Sequence, residues 1–174
     1  MNPVDAKYII GDKFPESWMD WSARRVNGHT PGFDFSGEVV KSPPGCGYKV
    51  GDEVYGLADD PTWIFRPGRY MMGSFGQFIQ PPINQVAHKP TSLTHVEAAA
   101  LPLVGVTCVQ AFNEHGLKGG QRVLVIGASG GIGHIAAQFA ALNGAEVVGI
   151  CSGRNKTFVE GLGVSKVLDY STEG

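Results

Sequence analysis

Long apolar runs are missing from this 174-residue chain. The longest, Ala98 to Val109, is interrupted by Pro102 and falls short of the ~20 consecutive apolar residues that a membrane-spanning helix needs. Blocks of like charge are missing too. The balance of 14 Lys and Arg against 16 Asp and Glu leaves a formal charge of −2, so no surface is laid out to track nucleic-acid phosphates. Cysteine is scarce: Cys46, Cys108 and Cys151 are odd in number, far apart and in no C-x-x-C pattern. That argues against a disulfide framework or a zinc ribbon and fits a reducing compartment. The opening Met1-Asn2-Pro3-Val4-Asp5 lacks the charged and apolar regions of a secretory signal. The sequon at Asn155-Lys156-Thr157 is therefore read as chance. A cytoplasmic protein with no membrane or nucleic-acid partner is expected. What the chain has in excess is glycine, 25 of 174 residues, about double the usual ~7%. With 43% hydrophobic residues this is an ordinary globular composition, which excludes collagen, coiled coil and charge-driven disorder.

The first ninety residues read as β-rich. Strands are expected over Phe33–Val40, after the Gly51-Asp52 turn, over Phe75–Gln80 and over Gln85–His88, with loops at Pro43-Pro44-Gly45, Pro67-Gly68 and Pro81-Pro82. The pattern changes near residue 90. Thr94-His95-Val96-Glu97 is a capping box opening an Ala-rich helix, which Pro102 is expected to interrupt. A second helical stretch runs from about Val104 to His115 and stops at Gly116. Arg122–Ile126 then reads as a strand buried on both faces of a parallel sheet. After the glycine cluster Gly127–Gly133 comes a helix to about Asn143, with Ile132, Ile135, Ala136, Phe139 and Ala140 on one stripe. A strand over Ala145–Ile150, a helix over Lys156–Gly161 and a strand over Lys166–Asp169 complete β-α-β-α-β, the first half of a doubly wound sheet.

Gly127-Ala128-Ser129-Gly130-Gly131-Ile132-Gly133 is the most informative segment. Its Ala128-x-Gly130-x-x-Gly133 spacing is the dinucleotide fingerprint with Ala in the first place. Small residues are needed here for three reasons. The chain turns sharply off a strand, a pyrophosphate approaches the backbone amides, and the helix packs closely on the sheet. The same residues also match the nucleophile elbow, as Gly127-x-Ser129-x-Gly131. That mechanism needs an acid and then a histidine further on. Asp169 could be the acid, but no histidine follows His134. The triad cannot be completed.

The end of the second strand speaks to the cofactor. No carboxylate occurs between Glu146 and Glu160, where an NAD-binding domain usually places one on the ribose hydroxyls. Ser152, Arg154 and Lys156 stand there instead, offering a hydroxyl and two cations to a 2′-phosphate. NADP(H) is the expected cofactor.

Together these segments resemble the medium-chain dehydrogenase/reductase superfamily, in its zinc-independent quinone oxidoreductase and enoyl reductase (zeta-crystallin-like) branch. The resemblance rests on Asn2–Lys7, Pro31–Val40, Val50–Gly56, Ala99–Leu103 with Gly105-x-Thr107, the glycine loop, and Leu168-Asp169-Tyr170, in family order. It implies an α/β chain in which residues 1–92 form a partial GroES-like β-barrel and residues 93–174 a partial Rossmann domain, with the active site between them. It implies that Asn2 and Lys7 line the nicotinamide and substrate pocket and that Thr107 lies near the nicotinamide. Ser129, Gly130, Gly131 and Ile132 would hold the pyrophosphate, and Ser152, Arg154 and Tyr170 would surround the 2′-phosphate. The substrate would be a small quinone or enone, and the full-length family would form a homodimer.

Zinc-dependent relatives carry a Cys in the first motif and a His-Glu pair in the second, where this chain has Asn2 and Phe33-Asp34. A catalytic zinc needs about three protein ligands, the four-cysteine lobe for structural zinc is missing, and His29, His88, His95, His115 and His134 show no ligand spacing. No metal is expected. The resemblance also implies strands before Asn2 and a second Rossmann half after Gly174, so the chain reads as truncated at both ends. Trp18–Arg25 reads as an inserted amphipathic turn. Two functions are then expected: hydride transfer to a quinone or an activated C=C, or a non-catalytic fragment that keeps part of the dinucleotide site.

Overall fold

The structure, a computed structural model, describes residues 30–58 and 73–172. Asn2, Lys7, the Trp18–Arg25 stretch and the Pro67-Gly68 loop lie outside the described residues. The chain divides into two compact units, with the boundary at Leu103/Val104.

In the first unit, β1 (Asp34–Glu38), β2 (Glu53–Leu57) and β3 (Val86–His88) form an antiparallel sheet in that order. Alternation along the strands buries Phe35 and Val54, which pack with Ala58 against Val39, Tyr48, Ile79 and Val86. The Tyr48 hydroxyl donates to the Val86 carbonyl at 2.6 Å, so the aromatic brings its polar end in satisfied. The strand expected over Phe75–Gln80 does not form. The amides of Gly73, Ser74 and Phe75 donate to the carbonyls of Thr30, Gly32 and Pro31 at 2.8, 3.0 and 2.9 Å. Donors that could enter a ladder are thus used on the segment before β1. Gln85, expected at the start of a strand, instead closes a 3-10 turn over Ile83–Gln85.

A four-residue helix, α1 (His95–Ala98), opens on the expected capping box. The Glu97 amide donates to Thr94 Oγ1 at 3.3 Å and the Thr94 amide to Glu97 Oε2 at 2.8 Å. The Thr94 amide and the Thr94 hydroxyl, which also donates to Oε2 at 2.8 Å, hold the Glu97 carboxyl below its ordinary range. Pro102 does not interrupt a helix; it is the first residue of α2 (Pro102–Glu114). At that position its missing N–H has no intrahelical partner to lose. Gly116 ends the stretch with φ of 63°, and the Leu117 amide donates back to Phe112 O at 2.9 Å.

The second unit has the expected β-α-β-α-β order: β4 (Arg122–Ile126), α3 (Gly131–Leu142), β5 (Glu146–Cys151), α4 (Lys156–Glu160) and β6 (Lys166–Asp169). The strands are parallel in the order β4-β5-β6. One face is covered, with Val125, Val147, Cys151 and Val167 packed with Ala137, Ala140 and Val159. In this 174-residue chain β4 is covered from one side only, with Leu124 and Ile126 57% and 76% exposed, where its apolar run suggests cover on both. The stripe on α3 also differs from expectation. Ala137 and Ala140 are its buried positions, and Ile132 is exposed. Phe139 is half-buried and stacks on Phe112, ring centroids 5.6 Å apart.

Candidate functional site

Three loops leave the carboxyl edge of the parallel sheet. The register pairs Ile126 with Ile150 and Cys151 with Asp169, so residues following β4, β5 and β6 emerge side by side. Ligands of open α/β sheets bind outside such an edge.

The loop after β4 is shaped by two glycines. Gly127 has φ of 72°, a left-handed conformation that turns the chain off the strand. A Cβ on Gly133 would lie 2.1 Å from Gly127 O and 2.9 Å from Ala128 Cα, so α3 can start this close to the strand only with glycine there. Gly131, by contrast, faces open space where a Cβ would meet nothing within 4 Å. Gly130 is the N-cap of α3 and supplies no side-chain cap, and no acidic residue lies in the first turn. The first amides of a helix have no intrahelical partner and carry the positive end of its dipole. Ser129, Gly130, Gly131 and Ile132 are thus placed where a diphosphate could meet amides and a hydroxyl, and Gly130, Gly131 and Ile132 are exposed.

The loop after β5 carries the other expected contacts. Ser152 is the N-cap of a 3-10 turn over Gly153–Asn155. Ser152 is half-buried, and Arg154 and Lys156 are exposed. Tyr170 follows β6, is 64% exposed, and donates its amide to Cys151 O at 3.2 Å. The structure therefore brings Ser129–Ile132, Ser152, Arg154 and Tyr170 to one edge. Thr107 lies half-buried on α2. Its neighbour Cys108 donates its thiol to the Ile132 carbonyl at 3.6 Å, which ties α2 to the start of α3.

Two residues here carry structure that the sequence reading did not assign. Asp169, which ends β6 and belongs to the Leu168-Asp169-Tyr170 segment, is one of them. Its carboxylate accepts from the Ser171 hydroxyl at 2.6 Å and the Ser171 amide at 3.0 Å, and also from the Gly153 amide. The two Ser171 bonds are the main reason its carboxyl sits below the ordinary range. Asn155 donates from Nδ2 to Ser129 Oγ at 3.0 Å, which joins the loop after β5 to the glycine loop. The thiols in this unit are not activated: burial pushes Cys108 and Cys151 up, and at Cys151 the Asp169 charge adds to it.

A second polar cluster lies in the first unit. Lys89 is buried and pairs with Glu53 at 3.2 Å; His95 Nε2 also reaches Glu53 at 3.2 Å. Ser36 Oγ is 2.8 Å from His95 Nδ1 but donates to the Val54 carbonyl at 3.0 Å. The cluster ties β1, β2 and α1 together. Asp34 Oδ1 accepts the Leu103 amide at 2.7 Å. Among the described residues, no group of three or more His, Cys, Asp or Glu side chains is arranged to hold a metal ion, and no helix is long and apolar enough to cross a membrane.

A parallel strand, a glycine turn and a helix without a side-chain N-cap, followed by a second parallel strand, form the β-α-β unit of a doubly wound sheet. Comparison with known proteins gives the chain's relatives. No family model matches the chain. The chain is 38% identical over 152 residues to the mitochondrial NAD(P)H oxidoreductase RTN4IP1 of Mus musculus, covering 82% of this chain and 35% of that protein. It is 35% identical to a chloroplastic quinone-oxidoreductase homolog of Spinacia oleracea, covering 99% and 50%. To the 2-methylene-furan-3-one reductase of Solanum lycopersicum it is 35% identical, covering 99% and 43%. Among solved structures, the quinone oxidoreductase of Coxiella burnetii superposes with a TM-score of 0.79 at 29% identity, covering 99% of this chain and 51% of that one. A mycobacterial protein complexed with NADPH, Rv1454c, gives 0.66 at 26% identity over 82% and 42%. The chain's homologues are quinone oxidoreductase-like members of the medium-chain dehydrogenase/reductase superfamily, in the zeta-crystallin-like branch. The chain spans half or less of the length of these curated relatives.

Proposed function

We propose that this chain carries the cofactor site of an NADPH-dependent oxidoreductase that reduces a quinone or the electron-poor C=C of an enone or enoyl substrate. The observation that carries this reading is the carboxyl edge of the parallel sheet. An open glycine loop lies there beside a second-strand loop that holds Ser152 and Arg154 where an NAD site would hold a carboxylate. The names of the relatives, two quinone oxidoreductase-like and one a reductase of an exocyclic enone, support the substrate class. The NADPH held by a structural neighbour supports the cofactor.

Bound at this edge, a reduced nicotinamide supplies a hydride to an electrophilic carbon. The chain's own residues bind and orient. Ser129 and the amides of Gly130, Gly131 and Ile132 take the pyrophosphate, and Ser152, Arg154 and Tyr170 take the adenosine 2′-phosphate. Arg154 is suited to this because a guanidinium pairs with phosphate in a bidentate fork, whereas a carboxylate would repel it. Thr107 serves the nicotinamide end. Asn2 and Lys7 serve the substrate pocket, where either could donate a hydrogen bond to the oxygen that becomes negative as hydride arrives. We read the reaction as metal-free. Asp34, at the place of the zinc-binding motif, gives its carboxylate to the Leu103 amide.

The test is NADPH-dependent reduction of a small quinone and a small enone, run beside a binding titration with NADPH and NADH. Turnover of either acceptor with NADPH preferred supports the reading. Binding without turnover removes the catalytic claim and keeps the site, and a preference for NADH overturns the cofactor assignment.

A further inference from the structure

We propose that Asn155 is a positioning residue that sets the Ser129 hydroxyl as a hydrogen-bond donor toward the pyrophosphate. The turn that carries the 2′-phosphate contacts would then also orient the pyrophosphate loop. This rests on the dinucleotide reading above.

The argument begins with what Asn155 does not do. It is the N-cap residue of α4, and Asn is among the preferred N-caps because its side-chain oxygen can accept from the first free amides. Here its side chain makes no cap bond. Instead Nδ2 donates to Ser129 Oγ at 3.0 Å, across 26 residues of sequence, at a half-buried position. A hydroxyl has one proton and two acceptor sites, while an amide NH₂ can only donate. Ser129 therefore accepts from Asn155 and keeps its own proton for an acceptor elsewhere. A serine hydroxyl left free could turn either way; this one is held in the state that suits an anion.

Asn155 is itself fixed. Its backbone amide donates to Ser152 O at 2.8 Å, which closes the 3-10 turn. The same turn is anchored at Gly153, whose amide meets the Asp169 carboxylate; a Cβ there would lie 2.4 Å from Asp169 Oδ2. Ser152 and Arg154 ride on this turn. Two phosphate contacts far apart in sequence thus share one support.

The experiment separates the two phosphates with nucleotide fragments on the 174-residue chain. ADP carries the pyrophosphate, whereas 2′-AMP carries the 2′-phosphate without it. Asn155→Ala is expected to weaken ADP by about three- to tenfold, the range of one hydrogen bond, and to leave 2′-AMP unchanged. Asn155→Asp should weaken ADP further, because a carboxylate can only accept and would capture the Ser129 proton. In a Ser129→Ala background, Asn155→Ala should add no further loss. An unchanged ADP affinity in Asn155→Ala, equal losses for both fragments, or full additivity with Ser129→Ala would overturn the proposal. If Asn155→Ala lowers the melting temperature, the nearly isosteric Asn155→Asp decides, and retained ADP binding in it overturns the proposal. Failure of the unsubstituted chain to bind ADP and NADPH at all would overturn the dinucleotide reading, and the positioning role with it.

Discussion

Gly133 and Gly131 stand two residues apart and have different reasons for being glycine. At Gly133 a methyl group would collide with backbone atoms of Gly127 and Ala128, and backbone cannot rotate away as a side chain can. Gly133→Ala should therefore destabilise the fold by about 2 kcal/mol or more, read as a lowered midpoint in urea. At Gly131 a methyl group meets nothing within 4 Å. Gly131→Ala should leave the midpoint nearly unchanged, yet weaken NADPH by filling the space that a phosphate would approach. Equal effects of the two substitutions on stability would contradict this division. Arg154→Ala should weaken NADPH by about tenfold or more and NADH far less, because a guanidinium–phosphate pair is a charge-assisted contact. These positions were legible in the sequence because backbone and charge chemistry dictate residue type there. Asn155 and Asp169 were not, since their roles depend on partners that only the strand order brings near: Ser129 for one, Gly153 for the other.

Short elements show where local signals held and where they were overruled. The capping box at Thr94 was readable and forms, but the helix it opens is one turn long because α2 begins afresh at Pro102. Phe75–Gln80 has strand-like composition, yet the preceding amides fold back onto residues 30–32; a contact of that kind leaves no trace in a local pattern. The turn after β5 yields a pH prediction. Asp169 is held below the ordinary carboxylate range by Ser171 and the Gly153 amide. A depressed folded-state value adds stability that is fully present above the unfolded value of about 4 and is lost as pH falls through the folded one. Thermal melts of the native chain should therefore drop on acidification below about pH 4. Asp169→Asn, which has no proton to gain, should show a shallower acid limb. Parallel acid limbs in the two proteins would remove Asp169 as a source of acid sensitivity.

Across the second unit, the order β-α-β-α-β was legible from alternating apolar runs, but which face those runs bury was not. A continuous apolar strand such as Arg122–Ile126 suggests cover on both sides. Right-handed crossovers, however, place successive helices of one β-α-β-α-β run on the same side of the sheet. Ala137, Ala140 and Val159 accordingly pack on Val125, Val147 and Val167, while Leu124 and Ile126 on the opposite face stay largely exposed. One substitution made on both faces measures the difference. Val147→Thr keeps the β-branched shape but puts a hydroxyl among apolar neighbours at a position 1% exposed. Leaving that group without a partner should cost about 1–3 kcal/mol. Ile126→Thr also keeps the β-branch, but its hydroxyl remains hydrated, so the cost should stay under about 1 kcal/mol. Urea titrations of the two variants decide it: similar losses would mean that the Leu124–Ile126 face is covered in solution, whereas a clear excess at Val147 means that the sheet is held from one side.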